Sequence, residues 1–411
     1  MVSVIKEINF INEWLINYHD DNIFNSYGTI NRNYNSFKKT GLIASIFEDY
    51  WQAVYKHNKE LIDKYRPNAN IEINKIIDCY NKDLGCSAYI CPECDELVFI
   101  GHTYKSRMCS SCGYKYKNER VESILQSAVR CNHRQIVFTI PKELRKYFFF
   151  PFEDRINLLF KAVNLTIESI LNKSYKKDKQ GILKEYNSKI KYTPGFFAFL
   201  HTFGRDLKWN PHIHVLIAEL KVKENGYQKW NYFNYDALSK RFQKVLLDLL
   251  DKEIGESFKE EKKLSYKNHK KGFYVYAEPK KFKNLKDGIE YVTRYCGRVP
   301  ISENRIINYD GKNVTFSYEA HEDGTYHEVT VDAKEFIMIL LRHLIPHNFK
   351  IIRYYGFYRK RHSFYDKLVL LTRQIRKSLL KHKLSVLKSF NRNPYNCPKC
   401  NTRLNYITDI S

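Results

Sequence analysis

Two histidines flank one bulky apolar residue in His212-Ile213-His214, at the head of the apolar run Val215-Leu216-Ile217. Alternate side chains of a strand share a face, so this run sends both imidazoles to one side and Ile213 to the other. Side by side, two imidazoles are a ready pair of divalent-metal ligands. Downstream, Tyr291 and Tyr295 stand four apart in a segment (284–298) whose Leu285, Ile289, Val292 and Cys296 step at helical spacing and which Gly297 can end. Both phenols then lie on one helix face. Neither signal is specific alone in a chain with 14 histidines and 32 tyrosines. A second pair, Tyr354 and Tyr358, encloses Gly356 and reads as strand and turn rather than helix.

Cysteine supplies a third kind of chemistry. Cys91-Pro92-Glu93-Cys94 and Cys109-Ser110-Ser111-Cys112 form C-x2-C-x14-C-x2-C, close to the spacing of a zinc ribbon or knuckle pair. Four thiolates complete a tetrahedral zinc shell with no open position, so the expected Zn2+ site is structural, with Cys91, Cys94, Cys109 and Cys112 as its ligands. Lys105, Arg107, Lys115, Lys117 and Arg120 surround it with positive charge. His102, Cys86 and Cys79 lie near enough in sequence to serve a second ion or to substitute as ligands. At the far end, Cys397-Pro398-Lys399-Cys400 is half a zinc site. Its other ligands could be Cys79 and Cys86, could come from a partner chain, or could be lacking.

The elements that must position these groups sit in a chain long enough for two or three domains, 411 residues with 43% hydrophobic content. Lys and Arg number 69 against 45 Asp and Glu, giving a net charge of +24 and implying a polyanionic partner. Charge alone does not separate nucleic acid from an anionic membrane. No apolar stretch of about twenty residues and no signal-peptide core occurs, so a soluble, unexported, cytoplasmic protein is expected. In a reducing compartment ten cysteines point to metal rather than disulfides. Segments such as 42–56 and 61–65 have helical period. From about residue 131 the pattern predicts strand 135–140, helix to 171, strands 196–202 and 212–217, helix 235–252, strand 273–277 and the tyrosine helix. That β-α-β-β-α-β order is that of a ferredoxin-like split sheet. A hairpin excursion over 306–331, a short apolar helix over 335–343 and a strand-like run over 350–358 follow.

A strand carrying His-apolar-His followed by a two-tyrosine helix resembles the HUH class of single-strand nucleases. Ordered blocks at 135–144 (Gln-Ile-Val-Phe-Thr-Ile-Pro-Lys-Glu-Leu), 201–207 (His-Thr-Phe-Gly-Arg-Asp-Leu) and 349–356 (Phe-Lys-Ile-Ile-Arg-Tyr-Tyr-Gly) narrow the resemblance to the rolling-circle transposases of the insertion-sequence 91 type, as does the zinc-binding module near the amino terminus. Tyr104 and Ser110 stand where that family's pattern has a cysteine and a proline. The resemblance implies an α+β chain, with a helical N-terminal segment (1–78), a zinc-binding domain (79–125), an HUH-type ferredoxin-like catalytic domain (131–300), its C-terminal extension (301–395) and a tail (396–411). It implies Tyr291 and Tyr295 as nucleophiles and Mg2+ or Mn2+ on His212 and His214. His201 is either the third ligand or a polar residue satisfied within the sheet. The implied substrate is single-stranded DNA at element ends and target, with Arg205, Lys105, Arg107, Arg294 and Arg298 as contacts, and with no membrane or small-molecule partner. A plasmid-type replication initiator or relaxase of the same class, and a non-catalytic zinc-ribbon DNA-binding protein, are the competing readings.

Overall fold

The computed structural model describes residues 41–79, 86–101, 106, 109–149, 155–177, 183–187, 191–224, 226–230, 233–276, 285–293, 300–320, 324–346, 348–359, 396–397 and 399–410. Three helices come first, α1 (Leu42–His57), α2 (Lys59–Tyr65) and α3 (Ala69–Ile77), then β1 (Cys86–Ile90), β2 (Leu97–Gly101) and α4 (Ser110–Ser127). Next are β3 (His133–Thr139), a 3-10 helix (Lys142–Phe148), α5 (Ile156–Leu171) and a hairpin of β4 (Lys173–Lys177) and β5 (Leu183–Asn187). The long strands β6 (Thr193–Phe203) and β7 (Trp209–Lys223) precede β8 (Gly226–Lys229), α6 (Tyr235–Ile254), α7 (Lys259–Asn268), β9 (Val275–Tyr276) and α8 (Leu285–Thr293). The chain continues through β10 (Ile306–Tyr309), β11 (Asn313–Glu319), β12 (Tyr326–Asp332), α9 (Ala333–Leu341) and β13 (Ile352–Gly356), and β14 (Asn405–Ile410) lies near its end.

One antiparallel sheet, in the order β13-β6-β7-β3-β9 with β8 paired to β7, organises the middle of the chain. Its strands are the apolar runs of the sequence. β6 is buried from Pro194 to Thr202, and Phe196, Phe197 and Phe199 have no exposed surface. Each such ring contributes about 1.5–3 kcal/mol by leaving water. Numbering β3, β6, β7 and β9 as four successive strands, the sheet reads second, third, first, fourth, with α5 between the first pair and α6 between the last. The α6 start is set by Asn234, whose side chain accepts the Ala237 N–H at 3.0 Å, and its end by Gly255 at φ +81°.

The two faces of this sheet are covered differently. On one, Phe138 meets Phe242 of α6 edge to face at 5.1 Å, and the Arg353 guanidinium lies 3.9 Å from the Phe160 ring centre of α5. Ile213 is register partner of Phe138 and shares that face. The other face carries His214 opposite Val137, and His212 opposite both Thr139 and His201. There Tyr358 stacks on Phe197 and receives the Val129 N–H from the chain just beyond α4.

A second core joins the N-terminal helices to the segment after α8. Trp51, Phe47, Val54 and Ile73 pack with Val314, Phe336, Ile337 and Leu340. Thus the three-stranded sheet β10-β11-β12 and α9 share a core with α1 and α3. Tyr309 donates to Asp49 at 2.9 Å across this junction. A third sheet, in the order β14-β1-β2, unites residues from both ends of the sequence. In the basic stretch after α5, β4 and β5 pair antiparallel.

Candidate functional site

His201, His212 and His214 converge on the sheet face away from α5 and α6, their ligating nitrogens all within 4.8 Å of one another. The cause is strand register: His201 and His212 are direct partners on β6 and β7, and His214 lies two residues along the same face. An octahedral ion with ligands near 2.1 Å sets neighbouring donors about 3 Å apart, within reach by small ring rotations. Burial holds the His212 imidazole down at about 4 and His214 well below its ordinary range, the latter helped by repulsion from His201 and His212. Neutral imidazole is the form that donates a lone pair to a metal.

The groups behind the imidazoles fix which nitrogen is available. His212 Nδ1 lies 2.7 Å from the Asn210 carbonyl, so Nδ1 carries the proton and Nε2 is left as donor. The Gln135 amide lies 3.0 Å from Nδ1 of His214. With the amide nitrogen facing the ring, the buried Gln135 Oε1 has no hydrogen-bond partner. Turning the amide lets Oε1 accept the Nδ1 proton, gives that oxygen its partner, and frees His214 Nε2 for an ion.

Two further features border this site. The helix α8 packs against α4, β3 and β7. Since α5 and α6 occupy the opposite face, α8 lies on the histidine face, with Ile289 fully buried and Tyr291 half-buried. Arg145, on the 3-10 helix packed against β7, places positive charge by His212. Its Nε is buried and without a hydrogen-bond partner among the described residues, and burial lowers its pKa.

The cysteines sort into two clusters that differ from the single site expected. Cys91 and Cys94 meet Cys397 and Cys400, whereas Cys109 and Cys112 meet Cys79. The two C-x-x-C pairs of the N-terminal half therefore lie in different clusters. Cys109 and Cys112 open α4, and the chain between the two pairs is taken up by β2, which pairs with β1. Cys79 Sγ is 3.5 Å from both Cys109 Sγ and Cys112 Sγ, in a buried setting that drives the Cys79 thiol far above its ordinary range through contact with those two sulphurs. Among the described residues this cluster holds three ligands. Cys86 heads β1 opposite Gly101, and its side chain lies outside the described residues.

Other expected contacts fare variously. Arg205 is half-exposed; its guanidinium donates to the Glu319 carbonyl of β11 at 3.2 Å and pairs with the Glu319 carboxylate at 3.3 Å. Tyr358 of the second tyrosine pair is buried and shares its hydroxyl with His133 at 2.7 Å, a core role. His343 is likewise committed, to Thr202 and to the Leu207 carbonyl. Tyr295, Arg294, Arg298, His102, Lys105 and Arg107 lie outside the described residues. Gln135 and Arg145 were not singled out from sequence as site residues. Gln135 opens the block at 135–144, and its alternation with Val137 on β3 was the available signal.

Comparison with known proteins gives the class first: a transposase with an N-proximal zinc-binding domain. Residues 195–363 match a family described as "Putative transposase", and residues 46–140 match "Transposase zinc-binding domain". The chain is 25% identical over 364 residues to the transposase for insertion sequence element IS801 of Pseudomonas savastanoi pv. phaseolicola, covering 82% of this chain and 83% of that one. It is 26% identical over 340 residues to "Putative transposase y4qJ" of Sinorhizobium fredii (strain NBRC 101917 / NGR234), covering 78% and 81%. No solved structure matches. The chain is thus similar over most of its length to transposases of the insertion-sequence 91 type. The zinc-binding domain match includes Cys79, Cys91, Cys94, Cys109 and Cys112 and stops well short of Cys397, and the cysteine clusters support zinc as a component. No helix among the described residues is long and apolar enough to cross a membrane.

Proposed function

We propose that this transposase nicks single-stranded DNA at element ends through a 5′-phosphotyrosine intermediate and then transfers the strand. The observation that carries the reading is the shared sheet face of three convergent histidines and the helix bearing Tyr291. The strand order and the two helices on the opposite face support reading the sheet as the ferredoxin-like fold of HUH nucleases.

Bound to His201, His212 and His214, Mg2+ or Mn2+ would neutralise a non-bridging phosphate oxygen and favour the phenolate of a nearby tyrosine. Tyr291 or Tyr295 attacks phosphorus as its phenolic proton is lost. The new Oη–P bond forms while the P–O3′ bond breaks, and the departing 3′ oxygen takes up a proton. The ester retains the energy of the broken bond, so a 3′-hydroxyl can later displace the tyrosine and reseal DNA without ATP. Two tyrosines permit two such linkages in sequence. Arg145 supplies fixed positive charge next to His212 for the scissile phosphate.

Single-stranded substrate suits the surroundings. Tyr274 and Tyr276 are exposed and stack on each other at 6.0 Å beside the edge strand β9, where Tyr276 is register partner of Val137 on the histidine face. A pair of exposed rings next to the site offers a platform for unpaired bases. The net charge of +24 supplies the general attraction to DNA.

The test is Mn2+-dependent nicking of single-stranded oligonucleotides tiling the flanks of the gene. His212→Ala with His214→Ala should abolish it while leaving zinc content intact. Undiminished nicking in that double variant would overturn the metal assignment.

A further inference from the structure

We propose that the C-terminal C-x-x-C completes a zinc site with the first N-terminal one, so that Cys91, Cys94, Cys397 and Cys400 hold a Zn2+ in a ribbon split between the two ends of the chain. This site is separate from the Cys79, Cys109 and Cys112 cluster and independent of the tyrosine chemistry.

Geometry carries the assignment first. Sulphur separations are 3.3 Å for Cys91 to Cys400, 3.6 Å for Cys94 to Cys397 and 3.7 Å for Cys94 to Cys400. Ligands at 2.3 Å from a tetrahedral zinc lie ~3.8 Å from one another, whereas a disulfide would bring two of them to about 2.05 Å. The four sulphurs thus mark a tetrahedron of the right size.

The two turns also repeat one another. In the first, Asp95 N–H donates to the Cys91 carbonyl at 3.0 Å and Cys91 N–H to the Glu96 carbonyl at 3.0 Å. In the second, Asn401 N–H donates to the Cys397 carbonyl at 3.0 Å and Cys397 N–H to the Thr402 carbonyl at 2.8 Å. The residue after each second cysteine is left-handed, Asp95 at φ 54° and Asn401 at φ 62°. Asp and Asn are among the few side chains that tolerate this conformation. Both turns therefore curl the backbone around one point, and Lys399 N–H points at Cys397 Sγ from 3.4 Å. A thiolate welcomes such a donor.

The strands complete the module. β14 pairs with β1 from Cys86 opposite Ile410 to Ile90 opposite Asn405, and β1 pairs with β2. Cys91, Cys397 and Leu404 form a small core of their own, with Tyr89 packed against it and edge to face on Tyr406. So small a core is below what holds a module together unaided, and a metal commonly makes up the difference. Lys399 and Glu96 add an ion pair between the two halves.

The test begins with the wild-type protein. With zinc bound, all four thiols should resist alkylation. Graded chelation should expose Cys91, Cys94, Cys397 and Cys400 together, in a phase distinct from Cys79, Cys109 and Cys112, as read by peptide mass spectrometry. Zinc per chain, measured by elemental analysis, should fall by one in the Cys397→Ser/Cys400→Ser variant and by one in the Cys91→Ser/Cys94→Ser variant. All four substitutions together should remove no more than either pair. Free reactivity of Cys397 and Cys400 in zinc-loaded wild-type protein would overturn the proposal, as would loss of two ions in the quadruple variant. The alkylation arm decides the matter even where a variant does not fold.

Discussion

Replacing Gln135 by Leu separates orientation of the metal ligand from ligation itself. Gln135 is 6% exposed, and its side chain lies within hydrogen-bond distance of Nδ1 of His214. In the orientation that satisfies Oε1, it holds the Nδ1 proton and presents Nε2 to the ion. Leu fills nearly the same volume and removes the acceptor, which leaves the buried His214 Nδ1–H without its partner at a cost of about 1–3 kcal/mol in stability. The ligand tautomer is also no longer fixed. Loss of such a partner typically costs 10–100-fold in metal affinity, which is about 1.4–2.7 kcal/mol. Mn2+ titration of the purified, folded variant, followed by electron paramagnetic resonance of the free ion, should show that weakening. Gln135→Glu, which restores an acceptor, should bind at least as well as wild type. An unaltered Mn2+ affinity in Gln135→Leu, alongside a large loss in His214→Ala, would refute the tautomer argument while sparing the ligand assignment.

Three other outcomes follow from the site and its surroundings. Arg145→Met should lower the rate of single-strand cleavage by about 10–100-fold, with Mn2+ affinity unchanged, because a charged hydrogen bond to phosphate is worth about 1.5–3 kcal/mol; equal rates at saturating DNA would remove Arg145 from the reaction. Tyr274→Ala with Tyr276→Ala should weaken binding of single strands by about 1–3 kcal/mol per stacked base and leave duplex binding nearly unchanged, as fluorescence anisotropy would report. Burial holds His133 and His343 at about 4, so both are neutral in the folded protein while the unfolded chain protonates them below about 6.5. Unfolding free energy should therefore fall as pH drops from about 6.5 to about 4, by at most about 3 kcal/mol for each residue. Urea titrations across that window check the sign, and pH-independent stability would contradict it.

What could be read from the sequence and what could not divide along the range of the interaction. The β6 and β7 strands and their antiparallel pairing follow from short apolar runs joined by a Gly-Arg-Asp loop, and period two places His212 and His214 together. His201 as their neighbour is suggested by the adjacency of the two strands and by the block resemblance, but placing it directly opposite His212 needed the register between them. The grouping of the cysteines was not legible because spacing is a local signal. Cys91 and Cys94 find partners some three hundred residues away through the β1–β14 pairing, and no local pattern reports that. Similarly, α1 has clear helical period, but its partner surface on Phe336 and Ile337 is a property of the folded chain. Gln135 and Arg145 escaped notice because their significance lies in one neighbour each, His214 and His212.

The measurement that tests the central claim most directly is the location of the covalent bond. Protein incubated with single-stranded element-end DNA and Mn2+ would be denatured, digested, and the nucleotide-bearing peptide sequenced by mass spectrometry. A nucleotide 5′-phosphate is expected on Tyr291 or Tyr295, absent when both are Phe. A linkage on Tyr354, Tyr358 or any other residue, or cleavage that persists in the double Phe variant, would contradict it.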